Sequence, residues 1–447
     1  SERAGAPLAS EARDKAKGFV AGDGFTCLLG GDGTIRCWGA NGLGQIGNGD
    51  LSINPVLTPT LVAGISTAVE ITAGGSHACA LLADGTAKCW GRGVDGQLGN
   101  GSFSSSATPV VVKDPAGTGL LSGIRTLSAG VEHTCAVRES DGAVFCWGDE
   151  IDGHLGNGST STLQPLPIQV KVDVSTNLIG IRDLAVGGGT SCGLKSDGAA
   201  YCWGSDYYSQ LGNNAPGTSS TYAIAWGSVS GLIGIDVGGN HVCGYTTGAM
   251  YCAGGVTVGG YEFGQMLQKA TPYAIPVSSV KQVALTNAAT CYIDATSHLL
   301  CSGGLSAGVT RNVWADGTGA TGYFATSASL SNVRALAAGA NHFCAYLDSG
   351  IKCWGSNASG ELGGGGVSTY QSATSVLAAV AGSISIADPG SIDVSTSSLT
   401  ASATTNSGGA VTWSVDSASS SVCGVGSTSG VISVLGAGDC ILRVEVA

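Results

Sequence analysis

Residues 27–39 read Cys27-Leu-Leu-Gly-Gly-Asp32-Gly33-Thr-Ile-Arg-Cys37-Trp38-Gly39, and the pattern returns about every fifty residues along the chain. Two short apolar runs flank Asp32-Gly33, a dipeptide typical of tight hairpin turns. Residues at equal distance from such a turn face each other across two antiparallel strands. The pattern therefore predicts a β-hairpin in which Cys27 and Cys37 form a disulfide.

The same pairing accounts for all sixteen cysteines of the chain. Seven pairs share the repeat position and an eighth lies beyond it, which is typical of a protein from an oxidising compartment. Zinc knuckles, the competing use of paired cysteines, have shorter spacings between their ligands. The predicted bridges are Cys27–Cys37, Cys79–Cys89, Cys135–Cys146, Cys192–Cys202, Cys243–Cys252, Cys291–Cys301, Cys344–Cys353 and Cys423–Cys440.

Composition favours an all-β, secreted protein. Among 447 residues there are 74 glycines and only 11% charged residues, which suits many short strands joined by tight turns. The net charge of -12 disfavours nucleic acid as a partner, and no apolar run reaches the length needed for membrane insertion. Because the chain starts at Ser1, we expect that a signal peptide has been removed, and we predict an extracellular or bacterial cell-surface location.

The second half of the repeat carries its own motif. Trp-Gly follows the second cysteine, and a Gly-Gln-Leu-Gly-Asn-Gly element comes after a turn, as in Cys89-Trp90-Gly91 and Gly96-Gln97-Leu98-Gly99-Asn100-Gly101. Repeats five and six depart from it, since they read Cys252-Ala-Gly-Gly and Cys301-Ser-Gly-Gly.

Four histidines share one position just before the first cysteine of a repeat: His77, His133, His241 and His342. We predict that each ring bonds a neighbouring backbone group at the same structural place. A ring of histidines that chelates a metal is the alternative, and it is weakened because the corresponding positions, taken as Thr26, Thr190 and Ala289, offer no imidazole.

This repeat resembles the regulator of chromosome condensation repeat family over roughly residues 18 to 380. The resemblance implies a seven-bladed β-propeller. Physical reasoning points the same way, because four short strands cannot bury their own faces and closing the repeats into a ring removes exposed sheet edges. The tryptophan after the second cysteine is then expected to lie between adjacent blades.

Three regions are predicted: an N-terminal arm at 1–17, the propeller at 18–382 with one disulfide in each hairpin, and a further β-domain at 383–447. Beyond residue 382 the period breaks, and short strands alternate with Gly, Ser and Asn turns. Stretches such as Val411-Thr-Trp-Ser-Val415 are similar to bacterial immunoglobulin-like domains. We therefore predict a small C-terminal immunoglobulin-like β-sandwich.

The sequence contains no nucleophile motif, no metalloprotease helix and no phosphate-binding loop, so we predict no catalytic residue, cofactor or metal site and no enzymatic activity. Members of the resembled family include nuclear exchange factors, a secreted bacterial inhibitor of β-lactamases and surface proteins. A reducing nucleus does not suit so many disulfides. The preferred hypothesis is a secreted or cell-surface bacterial structural or adhesive protein that binds protein partners through propeller loops. It would link to copies of itself through its terminal regions, as the subunit of an extracellular fibre.

The first alternative is a secreted monomeric propeller that binds or inhibits another protein or binds a glycan, and the second is a propeller enzyme. Aromatic anchors are typical of tight protein inhibitors. Ordinary blade packing is the competing interpretation of the candidate anchors. These candidates lie in the long connections of repeats four and five: Tyr207, Tyr208, Tyr222, Trp226, Tyr261 and Phe263.

Overall fold

In the computed structural model, the chain forms seven four-stranded antiparallel sheets in sequence order, one for each cysteine-pair repeat. These sheets are the blades of a propeller, so the all-β, seven-bladed prediction is confirmed. The described residues are 18–256, 267–275, 277, 279–287, 289–303, 325–326, 330, 332–347 and 350–376, with strand segments at 383–386, 398–403, 411–415, 423–425, 431–434 and 442–446.

Each blade is a simple meander, in which neighbouring strands in the chain are neighbours in the sheet. Blades 1 to 4 consist of β1 (Phe19–Ala21), β2 (Phe25–Leu29), β3 (Ile35–Gly39), β4 (Val56–Leu61); β5 (Ala68–Ala73), β6 (His77–Leu82), β7 (Ala87–Gly91), β8 (Ser106–Val111); β9 (Ile124–Ala129), β10 (His133–Arg138), β11 (Val144–Gly148), β12 (Gln164–Gln169); and β13 (Ile181–Val186), β14 (Thr190–Lys195), β15 (Ala200–Gly204), β16 (Ser220–Ala225). Blades 5 to 7 consist of β17 (Gly234–Val237), β18 (His241–Tyr245), β19 (Met250–Val256), β20 (Leu267–Ile275); β21 (Val280–Leu285), β22 (Ala289–Asp294), β23 (Leu299–Gly303), β24 (Ala325–Thr326); and β25 (Val333–Ala338), β26 (His342–Leu347), β27 (Gly350–Asn357), β28 (Ser368–Ser375).

The first strands of the blades pack against one another in cyclic order, and β1 packs against β25 to close the ring. Among the described strands none is shared between blades 1 and 7 at this closure, because β1 to β4 form one complete blade and β25 to β28 another. The closing interface is built like the others, with Trp38 of blade 1 buried against Leu362 and the Cys344–Cys353 bridge of blade 7. Side-chain packing and hydrogen bonds such as that from Trp38 Nε1 to the Glu361 carbonyl therefore complete the ring.

The cysteines of each blade face each other across its second and third strands, as the register Cys79↔Cys89 illustrates. All seven predicted ring disulfides are formed, and no zinc knuckle takes their place. The turn between the two strands differs from a two-residue Asp-Gly turn, since only the glycine adopts a positive φ, as at Gly85 with φ of 78°. Asp84 instead accepts a hydrogen bond from the Thr86 amide at 2.9 Å through Oδ1. The aspartate thus fixes the turn through its side chain.

Hydrophobic packing runs between blades. One buried cluster joins Phe25 and Ile46 of blade 1 to Ile71 and Trp90 of blade 2, and comparable clusters fill the other interfaces. The tryptophans that follow the second cysteine are fully buried, which confirms their expected place between blades.

The four repeated histidines are buried at these interfaces, and each bonds a side-chain hydroxyl of the next blade. The predicted backbone partner was wrong. The Nε2 to hydroxyl distances are 2.8 Å for His77 with Thr134 and for His133 with Ser191, and 2.9 Å for His241 with Thr290 and for His342 with Thr26. The hydroxyl residue always stands directly before the first cysteine of its repeat.

The position that corresponds to histidine in blade 1 is Phe25, and the assignment of Thr26 to it was wrong. Phe25 pairs with Gly39 as His77 pairs with Gly91, and its ring lies over Gly22 as the His77 ring lies over Gly74. A methyl group on either glycine would overlap the ring above it. Thr26 belongs to the hydroxyl position, where it receives His342 of blade 7.

A second inter-blade hydrogen bond involves the tryptophan that follows the second cysteine, and in blade 5 another residue makes it. In blades 1 to 4 the indole N–H donates to the carbonyl of the Gln-position residue of the preceding blade, as Trp90 does to Gln45 at 2.9 Å. Blade 5 has Ala253 at this place, and Trp226, from the connection before blade 5, donates to the carbonyl of Gln210 at 3.3 Å. Trp226 also lies over Gly212 as Trp90 lies over Gly47. Trp226 is therefore the interface tryptophan of blades 4 and 5.

The region after the propeller contains β29 (Ser383–Ile386), β30 (Ser398–Ala403), β31 (Val411–Val415), β32 (Cys423–Val425), β33 (Val431–Val434) and β34 (Leu442–Val446). They pair in the orders β29-β30-β33-β32 and β31-β34. The immunoglobulin-like assignment and the domain boundaries stay predictions. The predicted arm and Cys440, with its bridge to Cys423, lie outside the described residues. No helix in the described ranges is long and apolar enough to span a bilayer.

Candidate binding face

The meander places two kinds of connection at opposite ends of every blade. Connections from first to second strand and from third to fourth strand lie at one end, which we call the connection face. Its longest described segments are 40–55, 92–105, 149–163, 205–219 and 358–367. The hairpin turns and the links between blades lie at the other end, which we call the hairpin face.

The Gly-Gln-Leu-Gly element forms a pinned turn on the connection face. Its leucine is fully buried, as Leu98 is, and its glutamine accepts an amide hydrogen bond from the residue two positions earlier, as Gln97 does from Asp95 at 3.0 Å. The carbonyl of Gln97 receives the indole N–H of Trp147 at 2.9 Å and the hydroxyl of Thr134 at 3.0 Å. The turn is therefore held by its own blade and by the next one.

These pinned turns present apolar side chains to solvent at equivalent positions, three residues before the Gln position. Val94 of blade 2 is 46% exposed, Ile151 of blade 3 is 60% exposed and Tyr207 of blade 4 is 72% exposed. In blade 1 the neighbouring Leu43 is exposed. We call these four residues the apolar row, and they lie on consecutive blades.

Charge in the described connections of this face is almost entirely negative. In its described connections the only lysine or arginine is Arg92, which pairs with Asp95 and with Glu132, the latter at 3.1 Å. Lys269, near the start of β20, also lies at this end because it pairs with Gly254, and its ammonium lies over the Tyr273 ring. The carboxylates of the connection face are Asp23, Asp50, Asp95, Glu132, Asp149, Glu150, Asp152, Asp206 and Glu361.

Basic side chains concentrate at the other end of the ring. Eleven of them stand at strand ends or links of the hairpin face, where acidic turn residues such as Asp84 and Asp197 accompany them. The two faces therefore differ in charge character. These eleven residues are Arg36, Lys88, Lys113, Arg125, Arg138, Lys171, Arg182, Lys195, Lys281, Arg334 and Lys352.

Blade 3 has the most unusual turn of the connection face. His154 replaces the glutamine, stacks on the His133 ring at a centroid distance of 5.2 Å, and places Nδ1 3.5 Å from Oδ2 of Asp149. Burial, together with the charge of Asp149, raises the pKa of Glu150 to about 7, although Asn157 donates to its Oε2 at 3.0 Å. Its Oε1 is buried and has no hydrogen-bond partner within the described part of the chain.

The predicted aromatic anchors separate into three groups. Tyr207 is exposed on the connection face, and Tyr208 beside it is half-buried and meets its ring edge-on at 4.9 Å. Tyr222 is half-buried against Gly158 of blade 3. Trp226 is 1% exposed, so its burial removes it from any contact surface.

Tyr261 and Phe263 lie outside the described residues. The sequence interpretation missed Val94 and Ile151, because an isolated aliphatic residue in a connection carries no signal. Their common distance from the Gln position is the feature that would have found them.

Comparison with known proteins identifies the repeats. Two profiles described as Regulator of chromosome condensation (RCC1) repeat match residues 17–45, 68–97, 124–153, 181–210 and 333–361, and residues 32–81, 84–137 and 141–194. The human E3 ubiquitin-protein ligase HERC2 is 31% identical over 43% of this chain, which spans 4% of that protein. The Arabidopsis thaliana ultraviolet-B receptor UVR8 is 34% identical over 32% of this chain and 30% of its own length. The chain thus spans less than a third of the length of these relatives.

Solved structures show the same ring. Human WBSCR16 superposes with a TM-score of 0.63 at 18% identity, over 74% of this chain and 87% of that protein. Prp20p from Saccharomyces cerevisiae gives 0.62 at 18% identity, over 82% and 88%. At this identity the likeness concerns the fold alone. From its repeats and its ring together, this protein is a seven-bladed β-propeller that contains RCC1 repeats, matched in blades 1 to 4 and in blade 7.

Proposed function

We propose that this chain is an extracellular binding protein that holds a protein partner on its connection face. The observation that carries the proposal is the apolar row, since three equivalent positions on neighbouring blades expose Val94, Ile151 and Tyr207 from turns that are pinned in place. Exposed apolar side chains on a rigid support are typical of protein interaction sites, because little conformational entropy is lost on binding.

The extracellular location is supported by the seven ring disulfides, since such bridges persist in oxidising compartments and are rare in the cytosol. A secreted or bacterial cell-surface setting, with an adhesive or structural role, is part of this proposal. The known structures add support at the level of the ring, because Prp20p is described with binding to Gsp1p and histones and in a complex with Kap60.

A photocrosslinking experiment tests the proposal. A photoreactive phenylalanine is placed at Tyr207 or, as the matched control on the hairpin face, at Val174, which is also strongly exposed. The protein is produced in its source cells and irradiated. We expect the Tyr207 probe to give one discrete adduct in the extracellular or cell-surface fraction and the Val174 probe to give none.

Equal adducts from both probes, or none from either, would refute a binding role for the connection face. An adduct of twice the mass of the chain would instead identify a second copy as the partner, as a fibre subunit requires. Reactive thiols at the ring cysteines of the unreduced, denatured protein would contradict the extracellular setting, because they would mean that the cysteines are reduced in the cell.

A further inference from the structure

The apolar row and the charge of the connection face together specify the chemistry of the partner. We infer that the connection face binds a cationic protein segment, in which Lys or Arg side chains alternate with apolar ones. This inference rests on the proposed function and narrows it. The apolar side chains would contact the row, and the cations would meet the carboxylates around it.

The first argument is the arrangement of the carboxylates around the row. Asp95 follows Val94 and Asp152 follows Ile151 directly, so two of the four apolar side chains have a carboxylate beside them. Asp152 is exposed and adopts φ of 56°, a left-handed conformation that aspartate tolerates better than most residues. Asp50 and Asp23 extend the negative surface over blade 1. A cationic segment with apolar side chains matches this alternation.

The second argument is that the described connections of this face hold little positive charge to offset the exposed carboxylates. Arg92 is the only lysine or arginine in the described connections of this face, and its guanidinium is already paired with Asp95 and Glu132. Lys269, on the strand end beside them, lies over the Tyr273 ring. A positive partner therefore meets complementary potential, whereas a phosphate backbone or an acidic segment is repelled.

The third argument separates a foreign partner from a second copy of the ring. Stacking of copies would bring the hairpin face of one ring onto the connection face of another. The basic residues of the hairpin face stand among carboxylates such as Asp84, Asp173 and Asp197, and Arg138 is held by Asp141 at 2.7 Å. That face is mixed in sign and complements an acidic surface only weakly.

Fluorescence anisotropy with synthetic peptides tests the inference. The probe is a labelled peptide of alternating Lys and Leu with one Trp, compared with versions that carry Gln or Glu in place of every Lys. We expect the full chain to bind the Lys peptide roughly tenfold more tightly than the Gln peptide, with an affinity that falls as salt is added. The Glu peptide should not bind.

Two triple variants with the same change in net charge locate the site. Asp23→Asn/Asp50→Asn/Asp152→Asn on the connection face should weaken binding of the Lys peptide about tenfold. Asp84→Asn/Asp173→Asn/Asp197→Asn on the hairpin face should change it less than about twofold. Two double variants test the apolar contribution to peptide binding in the same way. Ile151→Ser/Tyr207→Ser changes the connection face, and Val174→Ser/Ile179→Ser is its control on the hairpin face.

Equal weakening by both charge variants, or no preference for the Lys peptide, would overturn the inference. If the Tyr207 crosslink still forms in that case, a binding face exists and its partner is not cationic. If neither the peptide nor the crosslink is observed, the proposed function fails as well. Sedimentation of the free chain as stacked rings would show that a second copy occupies the face.

Discussion

At the scale of single residues, the interfaces between blades follow a pairing rule. Wherever a blade has histidine two positions before its first cysteine, the next blade has Thr or Ser directly before its own. Three blades have another residue at the histidine position, namely Phe25, Thr190 and Ala289. The next blade in each case has an apolar residue at the hydroxyl position, namely Ala78, Val242 and Phe343. The imidazole is thus always matched by a hydroxyl, and the other residues always face an apolar side chain, so that neither Nε2 nor the hydroxyl is left unpaired.

Exchange of one pairing for the other tests this rule. His77→Phe alone should lower the free energy of unfolding by about 2 kcal/mol, because the Thr134 hydroxyl loses the imidazole N–H and is crowded by the larger ring. The double variant His77→Phe/Thr134→Ala copies the Phe25 and Ala78 interface and should recover at least about half of that loss. Guanidinium chloride unfolding of the single and double variants measures the coupling. Strict additivity would contradict the rule.

The bonding pattern also fixes the histidine tautomer. Thr134 donates its hydroxyl hydrogen to the Gln97 carbonyl, so the His77 Nε2–H must donate to Thr134, and Nδ1 carries no hydrogen. That Nδ1 is buried with no partner in the described part of the chain. Burial lowers the pKa of His77 to about 3 and those of His241 and His342 to about 4, and holds the pKa of His133 well below its usual range.

These lowered pKa values predict a loss of stability in acid. The unfolded chain takes up a proton on each ring below about pH 6.5, whereas the folded rings stay neutral until about pH 4, so the free energy of unfolding falls through this window. A ring whose pKa drops to about 4 accounts for about 3 kcal/mol of that loss. Burial raises the pKa of Asp236 and Glu150 to about 7, and these two groups act in the opposite direction over part of the window.

A difference measurement isolates the histidines from the carboxylates. The His77→Phe/Thr134→Ala variant lacks one buried ring, so its free energy of unfolding should fall less steeply with decreasing pH, by about 1.4 kcal/mol per unit between about pH 6 and 4.5. The carboxylates are common to both proteins and cancel. Identical pH slopes would show that His77 titrates equally in the folded and unfolded chains.

At the scale of elements, the tryptophan slot between blades is filled from two different places in the repeat. Trp226 reaches the slot from the connection before blade 5 and makes the same carbonyl bond as Trp90, Trp147 and Trp203. We expect Trp226→Ala to lower the free energy of unfolding by about 3 to 5 kcal/mol, as for other buried tryptophans. Tyr207→Ala, on an exposed side chain, should change it by less than about 0.5 kcal/mol. Similar losses for the two variants in chemical denaturation would contradict this assignment.

The hairpin disulfides act locally within their blades. Removal of one bridge by Cys79→Ala/Cys89→Ala should cost at most about 3 kcal/mol, because the closed loop is short. The same change at Cys291 and Cys301 of blade 6 should add to it, since the two blades are not neighbours. Thermal unfolding of both single-bridge variants and of the combined variant tests additivity. Complete unfolding after loss of one bridge would mean that the bridges act cooperatively.

At the scale of the whole molecule, the features that recur in each repeat could be predicted from the sequence, whereas those that depend on contacts between repeats could not. The cysteine spacing and the Asp-Gly turns determine local strand pairing, so the hairpins, their bridges and the number of blades follow from the sequence. The partner of His77 lies in the next blade, so no local pattern identifies Thr134. Trp226 stands outside the repeat position that it replaces, and the apolar row is visible only after the turns are aligned in space. These relations depend on contacts between repeats.

The closure of the ring without a shared strand has a consequence for how the polypeptide can be connected. Because every blade is one continuous stretch of chain, the ring does not depend on which blade comes first in the sequence. A linker as long as 62–67, which already joins the outer strand of blade 1 to the inner strand of blade 2, should join residue 376 to residue 18. The propeller could then begin at any link between blades, and a circular permutant opened within 114–119 should fold with the same seven bridges.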